Sequence, residues 1–353
     1  MNGVIIVDKP AGWTSHDVVN RMRRILQQRS VGHLGTLDPL ATGVLPLVTG
    51  SLTRLSQFYT ASEKTYEGVI RFGFATNTYD ADGEPLDQVS NHVGTAALGC
   101  PASIPDLSLG TLQKLAVEFE GQIQQLPPPF SAKKINGVPA YKLARKQKEV
   151  VLQPVQIEIK EFAITALEAD RAHFRARVSS GTYMRSIAHE MGQRLGCGAH
   201  LASLRRTSVA EFTITQAHTL EEIETHCHSE GARANASASR RIPAQVLSPD
   251  VWGGHHCPPI SPPPNHATAP QPLPGLQKLF IHPRQLLPQF PSVTADEPTA
   301  ARIRSGRPIN LPELSRARQV KVFASQTELL AIATRVAGSL FHPKIVFSAR
   351  ITM

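Results

Sequence analysis

Cysteine is scarce. The 353 residues contain four, Cys100, Cys197, Cys227 and Cys257, with no CxxC pair. So few and so widely spaced, they give no reason to expect a disulfide framework. His226-Cys-His228 and His255-His-Cys257 lack the spacing of a zinc finger, so no metal site is expected. No apolar run approaches the roughly 18 residues of a membrane helix. The first residues, Met-Asn-Gly-Val-Ile-Ile-Val-Asp-Lys-Pro, show neither a basic leader nor a cleavage site. A cytoplasmic location is therefore expected. Acidic residues are also short: 28 against 37 Lys and Arg, a formal net charge of +9. That excess favours polyanions, because phosphate neutralisation releases counterions. Charge alone does not separate RNA from DNA or acidic lipid.

Hydrophobic residues make up 41%, enough for a substantial core, and the length suggests two domains. Val4 to Val7 reads as a strand ending at Pro10. Thr14-Ser15 can cap a helix to about Gln28, with Val18, Val19, Met22, Ile25 and Leu26 on its apolar face. Val44 to Val48 reads as a strand and Ser51 to Thr60 as helical. From Tyr66 the chain alternates, with Tyr66, Ile70, Phe72 and Phe74 on one face. Thr76 to Glu84 is a polar loop, and 87–107 is weakly patterned. Leu112, Leu115, Ala116 and Phe119 mark a short helix ending at Gly121.

Gln125-Leu-Pro-Pro-Pro-Phe-Ser-Ala cannot be regular helix. Lys133, Lys134, Lys142, Arg145, Lys146 and Lys148 then cluster around Tyr141. Basic groups interleaved with an aromatic suit a nucleic-acid strand, and equally a solvated basic helix. Residues 155–166 and 172–178 read as strands. Ser179 to Arg185 opens a helix stopped by Gly196, and 209–214 is strand-like. Residues 247–275 hold nine prolines without periodicity and read as a flexible linker or insertion. Order returns at Leu276 with a helix expected over 294–305 and short strands at 320–323, 329–335 and 344–347.

The most unusual stretch is Val31-Gly-His-Leu-Gly-Thr-Leu-Asp-Pro-Leu-Ala-Thr-Gly43. It carries one carboxylate, Asp38, among three glycines, and Pro39 biases Asp38 away from helical geometry. Such a loop can project a short acid into a cleft, or simply form a tight connection.

This stretch resembles the catalytic motif of the TruB family of tRNA pseudouridine synthases. With it, Asp8-Lys-Pro10 with Gly12, Lys64-Thr-Tyr66 and Gly181-Thr-Tyr-Met-Arg185 match the family in its order, and Pro127 to Ala132, Tyr141 to Arg145 and Leu204-Arg-Arg206 also resemble it. The resemblance covers about residues 1–225, is weaker over 276–353, and is absent from 228–275.

The resemblance implies an isomerase that turns the T-arm uridine (position 55) of tRNA into pseudouridine after flipping it out. No cofactor, metal or guide RNA is implied, and the enzyme would be a stand-alone monomer. Asp38 takes the catalytic role. Arg185 would pair with it and fix its direction, and Tyr66 would stack on the base and serve proton transfer at C5. His33 would fill the space the uridine leaves. Tyr183 and Leu204 would line the pocket, and Lys9 and Lys133 would contact RNA. The implied fold is α+β, a mixed, mostly antiparallel sheet with flanking helices and a small β-rich, PUA-like C-terminal domain. The expected divisions are a catalytic domain over 1–227, a thumb-like insertion at about 126–150 that is mobile without RNA, a linker over 228–275 and the second domain over 276–353. A base-removing glycosylase and a non-catalytic RNA-binding protein remain as rival readings. Free uracil would mark the first, and binding without product the second.

Overall fold

A computed structural model describes residues 1–86, 107–131, 133–135, 138–139, 152–226, 276–314 and 316–347. The weakly patterned stretch after Asp87, most of the thumb-like segment and the Pro-rich linker lie outside the described residues.

The N-terminal strand β1 (Gly3–Lys9) is buried almost throughout, which is why its apolar run does not alternate. Helix α1 (Ser15–Ile25) starts at Thr14, whose side chain and that of Asp17 form a reciprocal capping box. Val18, Val19 and Met22 face the core. Strands β2 (Val31–His33) and β3 (Thr42–Thr49) bracket the Asp38 loop. The expected helix over 51–60 is a 3₁₀ stretch, Gly50–Leu55, followed by one helical turn, α2 (Ser56–Tyr59).

Strand β4 (Lys64–Phe72), helix α3 (Leu109–Val117) and strand β5 (Gly121–Gln125) follow. A small hairpin, β6 (Lys134–Ile135) and β7 (Val138–Pro139), leads to the long strands β8 (Val155–Glu168) and β9 (Arg171–Val178). Helix α4 (Met184–Arg194) is stopped at Gly196, whose φ of 69° a side chain would resist. Strand β10 (Ala199–Val209) begins ten residues before the strand-like run expected at 209–214, and residues 200–206 belong to it. They are the middle of the sheet, and the chain turns back at Ala210 into β11 (Phe212–Thr213). His200, Arg205 and Arg206 hid this strand, since its polar residues interrupt the apolar pattern. Residues 220–226 form helix α5.

The large sheet runs β12-β1-β3-β10-β4-β9-β8-β5, with β2 on β3 and β11 on β10. β12 (Phe280–Ile281) lies beyond the linker and pairs with β1 through Val4↔Ile281 and Ile5↔Phe280. Leu276 and Leu279 join the main apolar core, so the chain from 276 first completes the large sheet before building the second. All its strand pairs are antiparallel except β3–β10, joined at Arg205↔Thr42 and Arg206↔Gly43. This is the mixed, mostly antiparallel sheet expected. One core gathers α1, α3 and α4 on one face, with Ile70, Phe72, Phe174, Ile187 and Met191 wholly or almost wholly buried. Truncating a buried phenylalanine such as Phe174 costs about 3–5 kcal/mol.

The C-terminal sheet has the order β13-β15-β16-β17-β14. Its strands are β13 (Ser292–Thr294), β14 (Ile309–Asn310), β15 (Gln319–Phe323), β16 (Leu329–Ala337) and β17 (Leu340–Val346). The helix expected over 294–305 is shorter, α6 (Glu297–Arg304), because Asp296 caps it and the residues before it join the sheet. This module packs on the opposite face of β1 and β3, where Val4, Ile6, Val44 and Val48 meet Leu286, Leu287, Phe323 and Ile345.

Candidate active site

The Asp38 loop leaves β2 and enters β3 and is fixed at nearly every residue. Arg206 is fully buried; it donates to the carbonyls of Gly35 and Thr36 at 3.1 Å each and of Val44 at 2.8 Å. Ser15 holds Leu37 twice, donating to its carbonyl at 3.1 Å and accepting from its amide at 2.8 Å. The Pro39 carbonyl accepts from the Gly12 amide at 2.9 Å and from Lys9 Nζ at 3.2 Å. Gly43, at a φ of 99°, closes the loop against Arg206; a Cβ there would invade the Arg206 carbonyl. The backbone around Asp38 is thus rigid while its side chain stays about one-third exposed.

Arg185 meets that carboxylate with a fork. Its Nη2 donates to Oδ1 at 3.1 Å, and its Nε lies 2.9 Å from Oδ2 as an ion contact. The guanidinium is itself 5% exposed and held from behind. Nη2 also donates to the Phe130 carbonyl and Nη1 to the Thr78 carbonyl, both at 3.1 Å. Asp80 stands 3.5 Å from Nη1. Burial pushes the Asp80 carboxyl above its ordinary range, opposed by its Thr78 hydrogen bond and by Arg185. One buried cation therefore serves two acids, the part-exposed Asp38 and the buried Asp80.

Tyr66 and Arg206 are register partners on β4 and β10, so they share a face of the sheet. The Arg206 guanidinium interacts with the Tyr66 hydroxyl and feels the charge of Asp38. Leu204 sits two residues before Arg206, opposite Gly68, and is 8% exposed. His33 accepts at Nδ1 from the Gly35 amide at 3.3 Å. Burial, then the Arg206 and His16 charges, lower its pKa, which suits a neutral ring with the proton on Nε2. Tyr183 precedes α4, and Gln125 grips its backbone at both ends, accepting from N at 2.8 Å and donating to O at 3.0 Å. Burial raises the Tyr183 phenol pKa, and the Asp38 and Arg185 charges both reach it.

The two lysines behave differently. Lys9 is fully buried, donating to the carbonyls of Pro10 at 2.8 Å and Pro39 at 3.2 Å. Burial lowers its pKa to about 8, against the raising effect of Asp38. In this structure its head group holds the Asp38 loop through those two carbonyls. Lys133 donates to the Gln153 carbonyl at 3.2 Å, at the base of the thumb-like segment.

A carboxylate on a fixed loop, a fork beside it and an aromatic across it are found in a chain whose sequence matches known models. Residues 23–184 match the TruB family pseudouridylate synthase N-terminal domain, and residues 185–247 the tRNA pseudouridylate synthase B C-terminal domain. The tRNA pseudouridine synthase B of Solibacter usitatus is 42% identical over 351 residues, covering 98% of this chain and all of that protein. The chain belongs to the TruB family of pseudouridine synthases. The tRNA pseudouridine synthase B of Opitutus terrae is 44% identical over 72% of this chain and 97% of its own length. Among solved structures, a chain of a Cbf5–Nop10–Gar1 complex aligns with a TM-score of 0.63 at 22% identity, covering 99% of this chain and 85% of that one. That likeness speaks to the fold alone.

Within this TruB-family site, three contributors were not assigned a role from the sequence. Arg206 was visible only as part of Leu204-Arg-Arg206. Asp80 lay in a polar loop with no periodicity, and Gln125 looked like the start of a proline-rich connection. All three act on backbone groups or on other side chains, and such roles leave no spacing to read.

Proposed function

We propose that this chain isomerises the T-arm uridine at position 55 of tRNA to pseudouridine. The observation that carries the reading is the Asp38–Arg185 pair on a loop that the surrounding residues hold rigid. In the reaction the N1–C1′ bond of uridine breaks, the base turns, and a C5–C1′ bond forms. N1 gains a proton and C5 loses one, so atoms and oxidation states balance without a co-reactant. Asp38, part-exposed and forked by Arg185, would be the group that acts on the nucleotide. The buried Arg185 and Arg206 and Lys9 supply the positive surroundings an ionised acid requires.

The uridine must leave the folded T-loop to reach Asp38, so the reading includes base flipping. Tyr66 and Leu204 would bound the flipped base, and His33 and Tyr183 would line its entry. Lys133 and the basic segment after it would grip the RNA as a thumb. The enzyme would work as a monomer in the cytoplasm, without a guide RNA. Its catalytic domain would span 1–227, with a linker over 228–275 and a PUA-like RNA-binding module after it. The net charge of +9 supports the polyanion partner.

The test is a T-arm transcript incubated with the full chain, digested and analysed for nucleosides by mass spectrometry and position mapping. Pseudouridine at the T-loop position is the expected result. Free uracil, or pseudouridine only elsewhere, overturns the reading.

A further inference from the structure

Arg185 owes much of its position to the loop 76–84, which offers it the Thr78 carbonyl and the Asp80 carboxylate. The residue between those two is Tyr79. Its backbone lies in the left-handed region, with a φ of 65°. A bulky residue holds that conformation only where surrounding structure enforces it. The backbone is pinned by Leu201, whose amide donates to the Tyr79 carbonyl at 3.0 Å and whose carbonyl accepts from Ala81 at 3.0 Å. The side chain is pinned by a ring. Tyr79 and His189 stack face to face, centroids 3.7 Å apart and planes 10° from parallel.

His189 follows Arg185 by four residues on α4, one helical turn along the same side. The loop therefore touches α4 at two successive turns, at Arg185 through Thr78 and Asp80 and at His189 through Tyr79. The His189 Nδ1 is buried and has no hydrogen-bond partner among the described residues. An imidazole that forgoes a hydrogen bond to keep its ring flat on another is held for the stack. Tyr79 does not belong to the main apolar core, so core filling does not account for its ring.

We propose that the Tyr79–His189 stack is a positioning device that fixes the 76–84 loop on α4 and so sets the Arg185 fork on Asp38. Tyr79 and His189 are positioning residues: they act on Asp38 through the loop and Arg185. The inference rests on the isomerase reading of Asp38. It assigns the stack to turnover rather than RNA affinity, because what it orients is the fork on the reacting carboxylate.

The test measures single-turnover rate and RNA dissociation constant for the full chain and its variants on a T-arm transcript. Tyr79→Ala and His189→Ala each slow turnover by about tenfold, and the dissociation constant moves by less than about twofold. Tyr79→Phe keeps the ring and stays within about twofold of wild type. The double Ala variant is no slower than the slower single, since the two rings act as one unit. Where circular dichroism shows Tyr79→Ala unfolded, Tyr79→Leu, which keeps bulk without a planar ring, is judged by the same criteria. An unchanged rate in the Ala variants, an equal loss in Tyr79→Phe, or a loss confined to affinity overturns the proposal alone. A wild-type protein that makes no pseudouridine overturns the isomerase reading, and the proposal falls with it.

Discussion

Arg206 donates to the carbonyl of Gly35 at 3.1 Å from a position with no solvent exposure. The same guanidinium reaches Thr36 and Val44, so one side chain satisfies three carbonyls of the catalytic loop. A lysine has one point charge where the guanidinium presents a planar fork. Arg206→Lys should therefore leave loop carbonyls unsatisfied and cost about 2–4 kcal/mol of stability. Urea unfolding measures it. A loss within experimental error of zero would show that the loop is held by other contacts.

Gly43 pairs with Arg206 where β3 and β10 run parallel, and its φ is 99°. Two penalties coincide in Gly43→Ala: a backbone conformation that L-residues resist, and a methyl placed against the Arg206 carbonyl. The expected destabilisation is about 2–4 kcal/mol, with turnover reduced because the Asp38 loop shifts. Thermal unfolding together with a pseudouridine assay reads both effects. A variant as stable and active as wild type would contradict this close approach.

Lys9 gives the account a pH dependence. Burial lowers its pKa from 10.5 to about 8. The unfolded chain therefore binds the proton more tightly, so protonation penalises folding. That penalty is present below about pH 8 and is relieved as pH rises towards 10.5. The stability of wild type relative to Lys9→Met should rise across that window. Urea midpoints of both proteins at a series of pH values test it, and a difference independent of pH contradicts it.

Much of this architecture was legible in the sequence, and the exceptions share a cause. Helix α1 could be read from Thr14 and its apolar spacing, and the strand beginning near Tyr66 from its alternation. Asp38 and Arg185 were legible through their motifs, and the structure joins them directly. Strand β10 was missed because Arg205 and Arg206 sit where a buried strand normally carries apolar residues. Arg205 is instead paired with Asp8, at 2.7 Å, and Arg206 with loop carbonyls. The burial of Lys9 was equally hidden. One of the two carbonyls that hold its head group, that of Pro39, lies thirty residues away, and local sequence does not record it. The return of β12 to β1 could not be inferred either, since the pairing crosses most of the chain.

The C-terminal module is tied to the catalytic sheet by Glu211. Its carboxylate accepts from the Tyr59 hydroxyl at 2.5 Å and from the Leu287 amide at 2.8 Å. Burial, then Glu211 itself, pushes the Tyr59 phenol pKa far upward, so the hydroxyl remains a donor. Glu211→Ala leaves the buried Leu287 amide with only the Tyr59 oxygen, 3.2 Å away. Hydrogen exchange at Leu286 and Leu287 should accelerate about tenfold or more, while β4 and β9 keep their protection. Equal loosening of both regions would show that the two sheets open as one unit.

The most direct test of the central claim is Asp38→Asn, which keeps shape and removes the negative charge. On a T-arm transcript, pseudouridine formation should fall by about a thousandfold or more, because the reacting group itself is lost. RNA binding should persist, since the substitution removes no basic residue. An Asp38→Asn protein that still forms pseudouridine at a rate near wild type would contradict the assignment of the chemistry to this carboxylate.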